Sequence, residues 1–513
     1  MPIRRHKIMP LLAAPAVARL QAAGIAKVYR LILLTVSSIA GIALLCHFAL
    51  MLWGRQEFSS PESVVASQSM MLAHDGTLYY GLRDYPYTVN AYMPLFYLLD
   101  AALIKAGVGA YTGARLISFA AMLGVFALVR RLLLLYTRSP SCAWTGLILC
   151  ASTSLVLSWG TVGQVDMLAI FFAILGFYQY SRYAVRGEPT LLLAGACVII
   201  ACFTKQTAIA CPVTIVVLLW FRNRRAALLF AGGVGGFSLA AVLAVNVFTN
   251  GRFLSNTLFA NLNPFAWEKL WTHAHYMLIG AGQLAIVAVL GLGALRRHPG
   301  KALFLYLGFA MCVLGITAPK VGSDSNYQIE ATILLVLCAC VSLDALDFFP
   351  SLMRNSKSWV TLLQLPLAIH LVLNFRIVEP FLIARFVREQ QFRQQVAAER
   401  PYLADGGRVL SADINGVAHL RGYLEVEPLI YTLLVRGGRI DPQPVLRDIA
   451  AQTFSTILLY RDVNHPFTPD LELLAFTDAQ LDEVRKHYQL VAHIPGPYLS
   501  GVFIYKPAHR GGQ

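Results

Sequence analysis

Long apolar segments follow one another from residue 31 to residue 375, and several of the short loops between them contain arginines. An apolar helix needs about 20 residues to cross a bilayer, and it tolerates few charges. The pattern therefore predicts a mainly α polytopic membrane protein with about eleven transmembrane helices. We expect them at residues 31–53, 112–136, 143–160, 165–181, 190–203, 207–221, 226–248, 276–295, 302–319, 328–346 and 358–375.

Basic residues in the loops predict how these helices are oriented. Lys and Arg prefer the cytoplasmic side, and short loops follow this rule most closely. If the helices alternate in direction, all the short basic loops fall on one side: Arg130, Arg131 and Arg138; Arg182 and Arg186; Arg222, Arg224 and Arg225; Arg296, Arg297, His298 and Lys301; Arg354 and Lys357. We therefore predict a multi-pass membrane protein whose residues 1–30 are cytoplasmic.

Two parts of the chain do not fit the pattern of spans. Within the predicted transmembrane domain at 31–376, residues 54–111 form a first outer loop, where the run from Met93 to Ile104 is typical of an interfacial helix. Residues 377–513 have the composition of a small α/β domain, which the helix count places outside the cytoplasm. Its arginines do not oppose this placement, because long domains cross the membrane largely regardless of charge.

The tail contains short segments that predict its secondary structure. RVLSADI, STILLYR, YQLVAHI and SGVFIYK have the composition of strands. VEPLIYTLLVRGG is typical of a helix that is ended by its two glycines, Gly437 and Gly438. With about 110–135 residues, such a domain is large enough to have its own small core.

Composition and charge narrow the class of protein. The chain is 57% hydrophobic and 13% charged, with a mean hydropathy of +0.59, as expected for a polytopic membrane protein. Much of its net charge of +15 lies in the short loops, so topology accounts for it and we do not expect nucleic-acid binding. The nine cysteines include no CxxC pair and none lies in the tail, which argues against a disulfide scaffold or a structural zinc site.

One lysine, Lys205, interrupts the apolar stretch from Thr190 to Phe221. Arginines flank both ends of this stretch, so both ends belong on the cytoplasmic side and the stretch must be a hairpin with Lys205 at its outer tip. An ionisable side chain at membrane depth is costly unless it faces water, a cavity or a partner. Lys205 is therefore a candidate functional residue.

Other polar residues are predicted on the same outer face. Glu62 lies in the first outer loop, Arg115 opens the second span, and Asp166 lies at a hairpin tip. Asn326 and Tyr327 lie at the tip that precedes the last spans. Isolated acids and bases at membrane depth, with Asn and Tyr beside them, indicate a site for an anionic, membrane-borne substrate.

The order and spacing of several segments resemble those of GT-C glycosyltransferases, a superfamily that includes protein O-mannosyltransferases and the aminoarabinose transferases that modify lipid A. The segments are SPESVVASQSMMLAHDGTLYYG with YMPLFYLLDAAL, GARLISFAAMLGVFALVRRLL, GQVDMLAIFFAILGFY, FTKQTAIACP and SDSNYQIEATILLVL. The resemblance implies a GT-C-like fold and a glycosyltransferase activity. Together with the Arg- and Ala-rich composition it also implies a bacterial protein of the inner membrane, with residues 377–513 in the periplasm. The donor would be a polyprenyl-phosphate sugar, and the sugar would pass, with inversion, to a lipid, glycan or protein outside the cytoplasm.

Such a transfer needs a carboxylate base within reach of the acceptor hydroxyl. The resemblance implies that Glu62 is this base, although many members have Asp or Asp-Glu where this chain has Pro61-Glu62. It also allows a divalent cation, Mg²⁺ or Mn²⁺, as cofactor, with Glu62 as a ligand. Asp166 is expected to orient the acceptor or the base, or to contribute to a metal site.

The leaving phosphate needs cationic groups or a metal, because its negative charge grows in the transition state. Lys205 and Arg115 are the candidates to hold it by charge-assisted hydrogen bonds. Asn326 and Tyr327 resemble the donor-binding tip of the family.

Two other classes of protein remain open. A transporter or lipid flippase of the cell envelope would line a pathway with charges through the membrane depth, and repeats between its halves would be expected. The sequence contains no convincing repeat. A non-catalytic scaffold of an envelope complex would tolerate replacement of Glu62, Asp166 and Lys205.

Overall fold

The structure is a computed structural model that describes residues 28–508, apart from residues 29, 30, 33, 36, 37, 40, 43, 44, 53, 296, 297, 349–357, 466–475 and 498–500. Most of the predicted cytoplasmic segment 1–30 lies outside the described residues, as do the basic residues at 296, 297, 354 and 357. The predicted first span is described in part, and its described residues up to Leu52 are helical.

The first outer loop is folded rather than extended. Helix α1 (Ser60–Asp75) has Pro61 in its first turn, where a missing N–H costs nothing, and ends at Gly76. Gly76 has a φ of 70°, a left-handed conformation that favours glycine at a helix end. Helix α2 (Leu95–Lys105) confirms the helix predicted near Met93 to Ile104.

The membrane part is built from apolar helices. They are α3 (Ala110–Tyr136), α4 (Pro140–Ser152), α5 (Ser154–Trp159), α6 (Val165–Arg186), α7 (Leu191–Thr204), α8 (Ala210–Arg222), α9 (Arg224–Phe248), α10 (Trp267–Leu290), α11 (Lys301–Thr317) and α12 (Ile329–Ala345). Within the described residues, 4 helices are long and apolar enough to cross a membrane, and α7, α8 and α11 are shorter apolar helices. A mainly helical membrane protein is confirmed, whereas the number of spans stays a prediction.

Small residues let these helices approach closely. A Cβ atom at Gly146 of α4 would lie 2.1 Å from Leu133 Cδ1 of α3 and 3.2 Å from Cys340 Sγ of α12. Helices in lipid gain stability mainly from such close packing, because lipid tails are as apolar as the side chains. Gly146 therefore marks a tight contact between α3, α4 and α12.

Two predicted spans differ from the structure. The segment 143–160 is interrupted at Thr153, whose extended backbone (φ −71°, ψ 117°) separates α4 from α5. Helix α10 begins at Trp267, earlier than the predicted start at residue 276, because polar side chains in its first turns conceal the helix from a hydropathy pattern. Glu268 in that first turn is favourable beside the positive end of the helix dipole.

A long helix joins the membrane part to the tail. Helix α13 (Ser358–Glu399) is 42 residues long, and the predicted domain boundary at 376/377 falls inside it. The tail contains a sheet in which β1 (Arg408–Ser411) pairs parallel with β2 (Phe454–Leu459), while β4 (Val502–Pro507) pairs antiparallel with both β2 and β3 (Tyr488–Ile494).

Four helices complete the tail as the structure describes it: α14 (Ile414–Arg421), α15 (Pro428–Arg436), α16 (Gln443–Ala450) and α17 (Asp478–His487). The four predicted strands and the predicted helix that ends before Gly437 are confirmed. The content of Val, Ile, Leu and Tyr identified the strands, because β-branched and aromatic residues are enriched in strands.

The tail is seated on the first outer loop. Tyr87 N donates to the Glu425 carbonyl at 2.9 Å, and Glu427 N donates to the Tyr87 carbonyl at 2.9 Å. The His419 ring stacks on Tyr111, with ring centroids 4.3 Å apart. These contacts place the tail at the same end of the molecule as the first outer loop.

Helix α13 meets the tail at a buried pair of carboxyl groups. Gln395 Nε2 donates to Glu399 Oε1 at 2.7 Å and to Asp413 Oδ2 at 2.9 Å, and the Tyr460 hydroxyl donates to Asp413 at 3.0 Å. Burial raises the pKa of Glu399 well above its ordinary 4.5, and the neighbouring Asp413 adds to the rise. The folded state therefore binds more protons than the unfolded state, and stability falls as pH rises above that ordinary value.

Replacement of Glu399 by Gln should remove this penalty. We expect Glu399→Gln to increase the free energy of unfolding at pH 8 by at least about 1 kcal/mol, and to change it little near pH 4.5. Thermal unfolding of the purified protein across this pH range measures the effect, with exposed Asp482→Asn as the control. An unchanged pH dependence in Glu399→Gln would contradict the prediction.

Candidate active site

Glu62 and Arg115 form an ion pair that is fully buried, with both side chains 0% exposed. Arg115 Nε lies 2.7 Å from Glu62 Oε1, and Nη2 lies 2.9 Å from Oε2. Nη1 also donates to the carbonyls of Met51 and of Gly54 (2.9 Å), and Nη2 to that of Gln56 (2.9 Å). The guanidinium thus joins α3 to the chain that leads into α1.

The Glu62 carboxylate accepts two further hydrogen bonds. Gly163 N donates to Oε1 at 2.8 Å, and Phe58 N donates to Oε2 at 2.7 Å. Burial alone would raise the pKa of Glu62, but the charge and hydrogen bonds of Arg115, the Arg385 charge and the Gly163 N–H outweigh burial and lower the pKa. Glu62 is held as a carboxylate.

This geometry argues against two predicted roles. Arg115 has no N–H left for a phosphate, because its five donors are all used. Glu62 is surrounded by four N–H donors, which leaves no lone pair for a proton or for Mg²⁺ or Mn²⁺. Nor do the described residues contain a group of three or more His, Cys, Asp or Glu arranged to hold a metal ion.

The other four predicted residues lie together. Lys205 Nζ lies 2.5 Å from Asp166 Oδ1, and Asn326 Nδ2 donates to Asp166 Oδ2 at 3.1 Å. Lys205 Nζ also lies 4.1 Å from the centre of the Tyr327 ring, in a cation–π arrangement. The structure therefore brings together residues from three separate segments, as the predicted outer face requires.

Helix ends position these side chains. Lys205 ends α7 with an extended backbone (φ −144°, ψ 122°), at the turn predicted for the hairpin. Asp166 lies in the first turn of α6, where the helix dipole favours a carboxylate. Asn326 and Tyr327 lie in the 3-10 turn Ser325–Gln328, directly before α12.

The segment Gly163–Asp166 links this cluster to the buried ion pair. Its first residue donates to Glu62, and its last binds Lys205. A Cβ atom at Gly163 would lie 2.7 Å from Ala114 Cβ, so the segment approaches α3 more closely than a side chain would allow. Glu62 therefore positions Asp166 through this backbone segment.

The cluster borders a cavity that is partly open to the outside. Asp166, Lys205, Asn326, Tyr327 and Glu330 supply its polar groups, and alanines and other apolar residues line the rest. Glu330 is not among the site residues predicted from the sequence. The signal was available, since Glu330 is an acidic side chain at the start of an apolar span, as unusual there as Lys205 is in its own stretch.

Tyr327 also lines a second cavity, which lies between the first outer loop and the tail. Lys320, Asn261 and Glu427 contribute polar groups to it. Glu427 belongs to the tail, so no pattern local to the membrane helices could have indicated it. The tail is therefore a wall of the space beside the cluster.

The packed apolar helices, the folded first outer loop and the tail seated on it define a membrane protein with a GT-C fold. The crystal structure of ArnT from Cupriavidus metallidurans bound to undecaprenyl phosphate is similar, with a TM-score of 0.60 over 92% of this chain and 98% of that chain, at 14% identity. The apo state of the same ArnT gives a TM-score of 0.61 over 95% of this chain and 100% of that chain, at 13% identity. No protein-family model and no curated protein matches the sequence. The predicted GT-C resemblance is confirmed for the fold.

A test of the buried ion pair is Arg115→Lys. Lysine keeps the charge but cannot make the two parallel hydrogen bonds to Glu62 or reach three carbonyls. We expect a loss of at least about 1–3 kcal/mol in the free energy of unfolding, because buried oxygen acceptors on Glu62 and on the three carbonyls are left without hydrogen bonds. Thermal unfolding in detergent measures it, and Arg138→Lys, at an exposed arginine, should be close to wild type. Equal stability of Arg115→Lys and wild type would show that the pair does not hold the loop.

Proposed function

We propose that the protein is a glycosyltransferase of the inner membrane. It takes a sugar from a polyprenyl phosphate and transfers it, with inversion, to a lipid, glycan or protein on the periplasmic side. The observation that carries the proposal is the buried Lys205 beside a cavity, in a chain that has a GT-C fold. Support comes from the similar ArnT structure, which is bound to undecaprenyl phosphate.

Lys205 is suited to hold the donor phosphate. Its ammonium group has three N–H donors, and among the described residues Asp166 is the acceptor that its hydrogen bonds reach. The donors that remain are available to phosphate oxygens on the cavity side. In a site that is shielded from water, such contacts stabilise the growing charge of a leaving phosphate strongly.

Asp166 and Tyr327 keep the ammonium group in place before the donor binds. The Asp166 carboxylate neutralises the charge, and the face of the Tyr327 ring attracts it from a second side. Asn326 fixes the second oxygen of Asp166. This pre-organisation reduces the cost of ordering the site when the donor arrives.

The position of the cluster also favours an enzyme over a transporter or flippase. The polar groups of the cluster lie at one end of the membrane part, next to the tail, instead of being distributed through the membrane depth. The basic loops support an orientation with the N-terminus in the cytoplasm and the tail in the periplasm. An open cavity at that end is accessible to a lipid-linked donor and to an acceptor outside the cell membrane.

The test is sugar release by the purified protein from a panel of synthetic polyprenyl-phosphate sugars, hexoses and pentoses, with an extract of envelope lipids and glycans as the source of acceptors. The assay is run with and without Mg²⁺ or Mn²⁺. No release from any donor, together with movement of the lipid across the bilayer, would assign the protein to the flippases.

Within this assay we expect Lys205→Met to lower turnover by at least about 100-fold, because the leaving phosphate loses its cation. Binding of polyprenyl phosphate should weaken as well. The control is Lys301→Met, which removes an exposed lysine at the predicted cytoplasmic end of α11. Wild-type turnover in Lys205→Met would exclude Lys205 as the phosphate ligand.

A further inference from the structure

The cavity beside Lys205 contains a second acidic side chain, which the proposed mechanism leaves unused. Glu330 lies in the first turn of α12 and lines the cavity with Asp166 and Lys205. On the neighbouring helix α11, the buried Tyr306 hydroxyl donates to Glu330 Oε1 at 2.5 Å. An acidic residue at membrane depth that faces a cavity is typical of a functional group.

Glu330 and Asp166 differ in how many of their carboxylate oxygens already accept a hydrogen bond. Asp166 Oδ1 accepts from Lys205 and Oδ2 accepts from Asn326. In Glu330, Oε1 accepts from Tyr306, while Oε2 accepts no hydrogen bond from the residues that the structure describes. A general base needs a free lone pair within reach of the acceptor hydroxyl, so Glu330 meets this requirement better than Asp166.

Two other buried carboxylates near the cavities are already occupied. Glu62 accepts four N–H groups and lies outside the Lys205 cavity. Glu427 borders the second cavity but caps α15, where it accepts the N–H groups of Leu429 and Ile430 at 3.1 and 2.8 Å. Neither carboxylate combines what Glu330 has: a place in the cavity that Lys205 lines and an oxygen atom that accepts no hydrogen bond from the described residues.

We propose that Glu330 is the general base of the transfer, an inference that rests on the proposed glycosyltransferase function. The acceptor hydroxyl gives its proton to Glu330 Oε2 while its oxygen forms a bond to C1 of the sugar. The bond from C1 to the phosphate oxygen breaks, and its electron pair stays on the phosphate beside Lys205. Tyr306 holds the carboxylate in place through Oε1, as a positioning residue.

The experiment uses the full-length protein with the polyprenyl-phosphate sugar that wild type turns over and the envelope extract as acceptor. It compares wild type, Glu330→Gln and Tyr306→Phe, with and without sodium azide. Gln has the shape of Glu and can still accept from the Tyr306 hydroxyl, but it cannot take up a proton. Azide is a nucleophile that carries no proton, so its attack on C1 needs no base.

We expect Glu330→Gln to lower acceptor-dependent turnover by about 10²- to 10⁴-fold, the usual contribution of a general base. Azide should restore sugar release in this variant as a glycosyl azide, and donor binding should remain. Tyr306→Phe, which keeps the carboxylate, should lose much less turnover. This combination distinguishes a base from a side chain that only stabilises the fold.

Three results would count against the proposal in different ways. Undiminished turnover in Glu330→Gln would leave the transferase intact and remove Glu330 as its base. Equal losses in Glu330→Gln and Tyr306→Phe that azide does not restore would mean that the pair only joins α11 to α12. Wild type that releases no sugar from any donor would reject the proposed function itself.

Discussion

The ion pair between Glu62 and Arg115 is the interaction on which the outer end of the molecule depends. Two charges without exposure to solvent are stable only when every donor and acceptor is paired. Here the pairing is complete, and it ties α1, the start of α3, the chain after the first span and Gly163 to one point. Since Gly163 begins the segment that carries Asp166, the position of the Lys205 cluster follows from this pair.

In the Lys205 cluster, too, the buried charged groups are paired, but not all of their hydrogen-bond donors are used. Asp166 is paired at both oxygens, but the Lys205 ammonium retains donors toward a cavity. A buried cation with unused donors is unfavourable unless a ligand or water satisfies them. The first pair is therefore suited to hold the fold, and the second is suited to bind an anion. Both pairs join an acid to a base, and they differ in how many N–H donors of the base already have a hydrogen-bond partner.

The tail has a structural consequence for the site. Through Tyr87 and His419 it rests on the first outer loop, and through Glu427 it lines the cavity that shares Tyr327 with the Lys205 cluster. A soluble domain in this position limits which molecules reach the cluster from outside. The long helix α13 runs without interruption from the membrane part into the tail. A continuous helix transmits position more rigidly than a loop does.

The sequence by itself determined the membrane class, most helix positions, the strands of the tail and the hairpin that carries Lys205. These features follow from the local pattern of apolar, polar and charged residues, which a short stretch of sequence already contains. It also selected Asp166, Lys205, Asn326 and Tyr327, because polar groups are rare in apolar surroundings. Only the tertiary structure decided that Arg115 is paired with Glu62, 53 residues away, rather than free for phosphate. It likewise showed Glu330 open to the cavity, since hydrogen-bond partners distant in sequence leave no local pattern.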